Sequence, residues 1–235
     1  MRTKKDSVSL VARGLSPVSR SLLLVAIATF CTACGSLFES KIPQAERYVL
    51  AGAPAATSSA QTAASETDLA IGRPDVAPGL DTDRIAVLRG RQLDYFRGAQ
   101  WGGSVTEVVQ ALLVSSFQDQ RLFHSVTSEQ ARVSSNYMLD VEVRDFQAEY
   151  GEGGASPEVR VTIVGRILRI KDRQLVDTLV ATASRPAREN RMNVVVAAFE
   201  SAAQAVALEL ASRAAAAVSK DRSEKMPTSS TAADR

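Results

Sequence analysis

One histidine, two cysteines and one tryptophan in 235 residues leave little material for site chemistry. His124 is the single candidate base for a nucleophile–base triad. It lies in Leu122-Phe-His-Ser-Val126, a short apolar stretch with no acidic neighbour, where a partly exposed strand or loop histidine accounts for it. Metal centres need several Cys, His or carboxylate ligands converging at suitable spacing. No His/Cys cluster exists, and Asp81-Thr-Asp83 is too short for a calcium loop and reads as a turn cap. Gly151-Glu-Gly-Gly154 joins two strands rather than opening a helix, so it does not cradle phosphate. Asp140, Glu142, Asp145 and Glu149 alternate with apolar residues, the pattern of a solvated strand face rather than an acid–base pair. Nothing in the chain calls for catalysis or for a cofactor, and an enzyme ranks third among the functional readings.

The N-terminus also lacks an apolar run long enough for a membrane span. Leu22–Phe30 is nine residues, whereas crossing the hydrocarbon core takes roughly twenty. Before it stand Arg2, Lys4, Lys5, Arg13 and Arg20 against one acid, Asp6; after it comes Cys31-Thr-Ala-Cys34-Gly-Ser. Basic, apolar and small-residue regions in that order form an export signal. Small residues directly before Cys34 match a lipoprotein cleavage site, with Cys31 where leucine is more usual. Residues 1–33 are therefore expected to be a signal peptide and Cys34 the site of lipid attachment, with palmitate among the acyl chains. The alternative is an ordinary signal peptide that leaves Cys34 as a free thiol. Cleavage would leave Cys34 as the one cysteine, so no disulfide is available in an oxidising compartment. Gly35 and Ser36, rather than Asp, follow the cysteine, which points to the outer membrane and its periplasmic face, the inner membrane being the alternative.

A basic surplus is absent as well. The whole chain carries a net +2, but residues 1–33 hold five basic groups and one acidic group. The remaining 202 residues carry 23 Lys+Arg against 25 Asp+Glu, a net of −2. No electrostatic attraction for nucleic acid follows from that balance, and the length suffices for one domain with a core of its own.

What is present is pattern. Residues 34–45 read as a tether, Tyr48–Leu50 as a first short strand and 51–66, built from Ala, Ser, Thr and Gly, as a flexible surface insertion. Asp68–Arg73 and Arg84–Arg89 read as strands, the second turning at Gly90-Arg91 into Gln92–Phe96. Ser104 followed by Glu107 forms a capping box. From there Val105, Val108, Val109, Leu112, Leu113 and Phe117 recur at helical spacing. Leu139, Val141 and Val143 alternate with polar residues, and then the parity flips to Phe146, Ala148 and Tyr150. A strand keeps one face inward across such a flip only by inserting a residue, so a β-bulge is predicted near Arg144–Asp145. Two further long strands, 159–170 and 175–182, complete an antiparallel meander. An alanine-rich helix runs over about 193–218, and the polar stretch 220–235 is expected to be disordered. Tyr95, Phe96 and Trp101 form an aromatic corner that either fastens the hairpin to the next helix, the favoured reading, or anchors a partner.

In order, Tyr48–Leu50, Pro78–Val87, Leu93-Asp-Tyr-Phe with Trp101, Tyr137–Tyr150, Pro157–Val161 and the terminal Ala/Phe/Glu helix resemble the ABC-type transport auxiliary lipoprotein family. That family supplies the lipoprotein component of lipid-transport systems built around mammalian-cell-entry (MCE) domain proteins. The resemblance implies a single α/β (α+β) domain over 46–219, its mixed, largely antiparallel sheet flanked by helices and closed by a long C-terminal helix. It implies a periplasm-facing adaptor that docks an ABC/MCE-type lipid transport complex to the outer membrane. The partners would be an MCE-domain substrate-binding protein with its permease and ATPase, and the membrane itself through the lipid anchor. A homo-oligomer stays open. The competing reading is a structural or assembly lipoprotein of the envelope with no transport role.

Overall fold

A computed structural model describes residues 44–55 and 65–225. The signal peptide, Cys34, the tether up to residue 43, residues 56–64 of the insertion and the tail beyond 225 lie outside the described residues. The described residues from Ala45 to Lys225 form one compact unit. Its strands are β1 (Glu46–Tyr48), β2 (Ser65–Ile71), β3 (Asp75–Val76), β4 (Arg84–Arg89), β5 (Gln92–Trp101), β6 (Phe123–Ser128), β7 (Tyr137–Tyr150), β8 (Glu158–Arg169) and β9 (Gln174–Pro186). Two α-helices accompany them among the described residues, α1 (Val105–Gln120) and α2 (Met192–Lys225).

The sheet is organised around β7, whose 14 residues give it two very different edges. One edge pairs antiparallel with β8 along almost its whole length, and β8 pairs antiparallel with β9. The other edge takes three short parallel partners in succession: β2 at Tyr137–Leu139, β3 at Glu142–Val143 and β4 at Ala148–Tyr150. Beyond them β6 adds parallel to β2, β5 pairs antiparallel with β4, and β1 runs parallel to β5. Five of the eight pairings among the described residues are thus parallel, while the long ladders are antiparallel. The meander and the hairpin at Gly90 (φ 60°) form as expected.

The expected bulge is there. Val143 pairs with Ile163 and Asp145 with Thr162, so Arg144 is the inserted residue. Val143 and Phe146 are consequently both buried while Arg144 is exposed. The capping box is complete too: the Glu107 N–H donates to Ser104 Oγ (3.4 Å) and the Ser104 N–H to Glu107 Oε2 (3.0 Å). Two polar residues of α1 are buried with partners. Thr106 donates to Asp81 Oδ1 (2.8 Å), and Ser116 Oγ accepts the Ala53 N–H (2.9 Å). Asp81 therefore braces a turn against the helix.

Both helices pack on one face of the sheet, α1 over β2 and β6, α2 over β8 and β9, and they touch each other. Along α2, Val195, Phe199, Ala202, Val206, Leu210, Ala214 and Val218 are all fully buried, three or four residues apart. Their inward-facing alanines bring the helix backbone close to the strands.

Three boundaries differ from the sequence reading. The first strand is Glu46–Tyr48 rather than Tyr48–Leu50, because its register is set by Ala99–Trp101 of β5. Residues 51–54 are not loose. Glu200 accepts the Ala51 N–H (2.9 Å), Gln204 donates to the carbonyls of Ala51 and Gly52, and Gln120 donates to that of Pro54. The small side chains that suggested flexibility are what allow the strap to lie on the helices. A Cβ at Gly52 would come within 2.3 Å of Ser115 Oγ. Finally, α2 continues through Lys225, so 220–225 is helix rather than disordered tail. Its cause is a set of bonds from the last turns to the sheet, described next.

Candidate functional site

The aromatic corner does not form one exposed patch. Trp101 is fully buried against Phe146 and Phe199, with ring centroids 5.7 and 5.1 Å away. Its Nε1 has no hydrogen-bond partner among the described residues. Tyr95 and Phe96 are half-buried. The Tyr95 hydroxyl donates to the Gly79 carbonyl (2.7 Å), and the Arg84 guanidinium stacks 3.9 Å over its ring. Tyr95 is thereby tied down at the surface. His124 is exposed on β6, an edge strand.

The strand carboxylates lie on the sheet face opposite the helices, in a lattice of ion pairs. Arg166 bridges Asp140 and Glu142, Arg144 also pairs with Glu142 (2.8 Å), and Arg160 pairs with Glu149 (3.0 Å). Gln147 donates to both Asp145 and Glu149. The hydrogen bonds from Arg144 and Arg166 hold the Glu142 carboxyl below its ordinary range. Every one of these carboxylates has a cationic or amide donor beside it, so the face is a satisfied polar surface. Among the described residues, no group of three or more His, Cys, Asp or Glu is placed to hold a metal ion.

A second cluster was missed by sequence reasoning. On β8 the core-facing positions run Val159, Val161, Ile163, Gly165, Ile167 and then Arg169. A guanidinium at that parity needs a buried partner, and α2 supplies one. Asp221 receives both Nε (3.0 Å) and Nη2 (2.6 Å) of Arg169, as well as the Tyr137 hydroxyl (2.7 Å). Arg169 Nη1 reaches Asp172 (2.5 Å) and Gln174 (3.0 Å). The Arg169 side chain lowers the Asp221 carboxyl pKa against the opposing effect of burial. Burial, followed by the bond to Asp221, raises that of the Tyr137 phenol. The signal was present in Arg169's parity; its partner lay in the stretch read as a tail.

Next to this cluster the helix-free face changes character. Register pairs Ala70 with Met138, Met138 with Leu168 and Leu168 with Leu175, so β2, β7, β8 and β9 contribute one apolar residue each to a single cross-strand row. The next row along is Asp140, Arg166 and Thr178. The loop between β6 and β7 and the turn between β8 and β9 border the row. Together they enclose a hollow of about 460 Å³, walled by Ala70, Val133, Met138, Leu168 and Ile170, with Arg173 at its edge. A second hollow of about 410 Å³ adjoins it. Ser135, Arg169 and Ile170 are shared between the two, and Thr67, Asn136, Lys171 and the ion pair of Glu66 with Arg222 (3.7 Å) make the second one polar.

Among curated proteins there is no significant match. Among solved structures, protein XCC0632 from Xanthomonas campestris is similar at 24% identity, over 76% of this chain and 99% of that one, with a TM-score of 0.66. An uncharacterised protein matches at 16% identity, over 73% of this chain and 97% of that one, with a TM-score of 0.55. These likenesses concern the fold. The model of the ABC-type transport auxiliary lipoprotein component matches residues 48–211, from β1 through most of α2, and the chain belongs to that family.

Proposed function

We propose that this protein is a lipid-anchored, periplasm-facing adaptor of an ABC/MCE-type lipid transport complex, docking that assembly to the outer membrane. The observation that carries the reading is the family match, which spans β2 to β9 and most of the helix packed on them. An export signal over residues 1–33, followed by Cys34, Gly35 and Ser36, supports the anchor and the membrane chosen. In this reading the chain is not an enzyme and holds no cofactor. It binds an MCE-domain protein that works with a permease and a separate ATPase, the ATPase supplying the energy for transport.

A single acyl chain gives marginal membrane attachment, whereas the several chains of a mature lipoprotein hold firmly. Cys34→Ala should therefore release the protein from the envelope or stall its processing. Capture of the tagged wild-type protein from envelope membranes should bring down an MCE-domain protein. Processed, membrane-bound Cys34→Ala protein would refute the anchor, and fractionation with the inner membrane would refute the docking direction. Capture without any transporter component would favour the structural-lipoprotein reading.

A further inference from the structure

We infer that the apolar row Ala70–Met138–Leu168–Leu175 and the hollow over it bind the alkyl chain of an anionic amphiphile. Arg173 and Lys171 would receive its head group. The site stands apart from the transport reading, since the row exists whichever assembly the protein serves.

Isolated exposed hydrophobics are ordinary on protein surfaces, and contiguous ones are not. Six large hydrophobic residues are exposed among those described, and three of them gather here: Val133 at 56%, Ile170 at 43% and Leu175 at 53%. Leu175 is the end of a row whose members pair across four strands, and Val133 and Ile170 line the hollow over its Ala70, Met138 and Leu168. At about 4.8 Å per strand, that row is roughly 14 Å long. It is a continuous apolar track crossing the strands, long enough to take part of a linear chain. The hollow's 460 Å³ lies within the roughly 300–1,000 Å³ usual for small-molecule sites. Its floor is rigid sheet, and its rim is formed by the loop and turn that carry Val133 and Ile170.

The charges at the rim select the head group. The side chains of Arg173 and Lys171 make no hydrogen bond or ion pair among the described residues. Arg169, between the two hollows, is by contrast committed to Asp221 and Asp172. Glu129, the carboxylate in the apolar wall, accepts the backbone N–H of Arg73 (3.4 Å). Arg173 therefore lines the apolar hollow and Lys171 the adjoining polar one, which Ser135 and Asn136 also line. An apolar track ending in uncommitted cations and amide or hydroxyl donors fits a chain carrying a carboxylate or phosphate. A sterol or a neutral lipid would leave the cations unused.

The test uses the full lipidated protein in phosphatidylcholine vesicles. Two lysophospholipid probes carry a diazirine at the chain end and differ only in head group, one phosphoglycerol and the other phosphocholine. After irradiation, cross-links are mapped by mass spectrometry. Saturable labelling is expected in the peptides holding Met138 and Leu168, with the phosphoglycerol probe preferred. Leu168→Glu places a carboxylate in the apolar track and should reduce that labelling more than about tenfold. Arg173→Glu should abolish the preference between probes while leaving some labelling. Both residues are partly or wholly exposed, and equal thermal midpoints will confirm that the variants fold. Labelling spread evenly over the surface, or unchanged in Leu168→Glu, overturns the proposal, as does equal labelling by the two probes. If Leu168→Glu loses a captured protein partner while the wild type takes up no probe, the row is a protein contact and the proposal fails. Partner capture by an otherwise intact protein that binds neither probe would leave the adaptor reading standing without this site.

Discussion

Truncating Trp101 discriminates most sharply between a core and a docking role for the aromatic corner. The side chain is fully buried and makes ring contacts with both Phe146 and Phe199, which also touch each other at 5.3 Å. Removing such a side chain costs roughly 3–5 kcal/mol, and each aromatic pair adds about 0.5–1.5 kcal/mol beyond its buried area. Trp101→Ala should fall in the upper half of that range. At about 2–4 °C per kcal/mol for a domain of this size, the melting midpoint should drop by about 8–20 °C. Trp101→Phe is the informative companion. It keeps a ring against Phe146 and Phe199 and removes the unpaired Nε1–H, whose burial costs about 1–3 kcal/mol. That relief offsets part of the lost indole volume, so Trp101→Phe should lose less than half of what Trp101→Ala loses. Melting is followed by far-UV circular dichroism, because Trp101 is the only tryptophan and its fluorescence disappears with the substitution. A Trp101→Ala midpoint within about 2 °C of the wild type would refute the core argument. A Trp101→Phe variant less stable than Trp101→Ala would refute the reasoning about the orphaned donor.

Deleting Arg144 removes the inserted residue and leaves Val143, Phe146 and Ala148 on one face of a regular strand, so that variant should still fold, and Arg144→Ala should stay within about 0.5 kcal/mol of the wild type; urea denaturation compares them, and a deletion variant that does not fold would refute the bulge assignment. Truncation after Ser219 should lower the melting midpoint measurably, since it strips Arg169 and Tyr137 of Asp221; an unchanged midpoint would return 220–225 to the status of a tail. The Asp221 carboxyl pKa is lowered in the folded state, so its contribution is complete above the unfolded value near about 3.9 and is lost as pH falls below it. Asp221→Asn should therefore melt lower at neutral pH and show a shallower decline than the wild type below about pH 4, read from midpoints across a pH series. Parallel acid limbs for the two proteins would contradict the linkage.

Local chemistry was legible in the sequence. A parity flip between Val143 and Phe146 located a bulge near Arg144–Asp145, and Ser104 with Glu107 located a helix start, because both depend on neighbours within a few positions. What depends on distant partners was not. The polar residues after Val218 look like a tail until Asp221 is seen bonded to Arg169, 52 positions away. Ala51-Gly52-Ala53 looks loose until Glu200 and Gln204 are seen holding it from about 150 positions on. The apolar row is hidden for the same reason: each strand gives it one residue, Ala70, Met138, Leu168 or Leu175, and only the register lines them up. Of the aromatic corner, Trp101 is fully buried, and Cys34 lies outside the described residues.

The packing of α2 decides which surfaces remain for an adaptor. By length and composition Met192–Glu224 is apolar enough to cross a membrane, with a mean hydropathy of 1.6 over its best window. That apolarity is spent inward. Phe199, Val206 and Leu210 are fully buried, and moving the helix into lipid would strip the sheet of its cover and Arg169 of its counter-charge. The helix-covered face is therefore closed to partners. So, in part, is the sheet edge at β9, where Arg213 donates to the Val180 carbonyl (2.8 Å) and Arg185 to that of Ser184 (2.9 Å). Side chains held on backbone acceptors in this way discourage a further strand from adding there. On the open face, the ion-paired rows around Arg166 offer a partner only groups that are already satisfied, and such exposed pairs contribute little to binding. The end of the sheet where Val133, Ile170 and Leu175 emerge is different. There desolvation gains free energy without breaking an existing bond, so contacts that matter energetically should concentrate at that end.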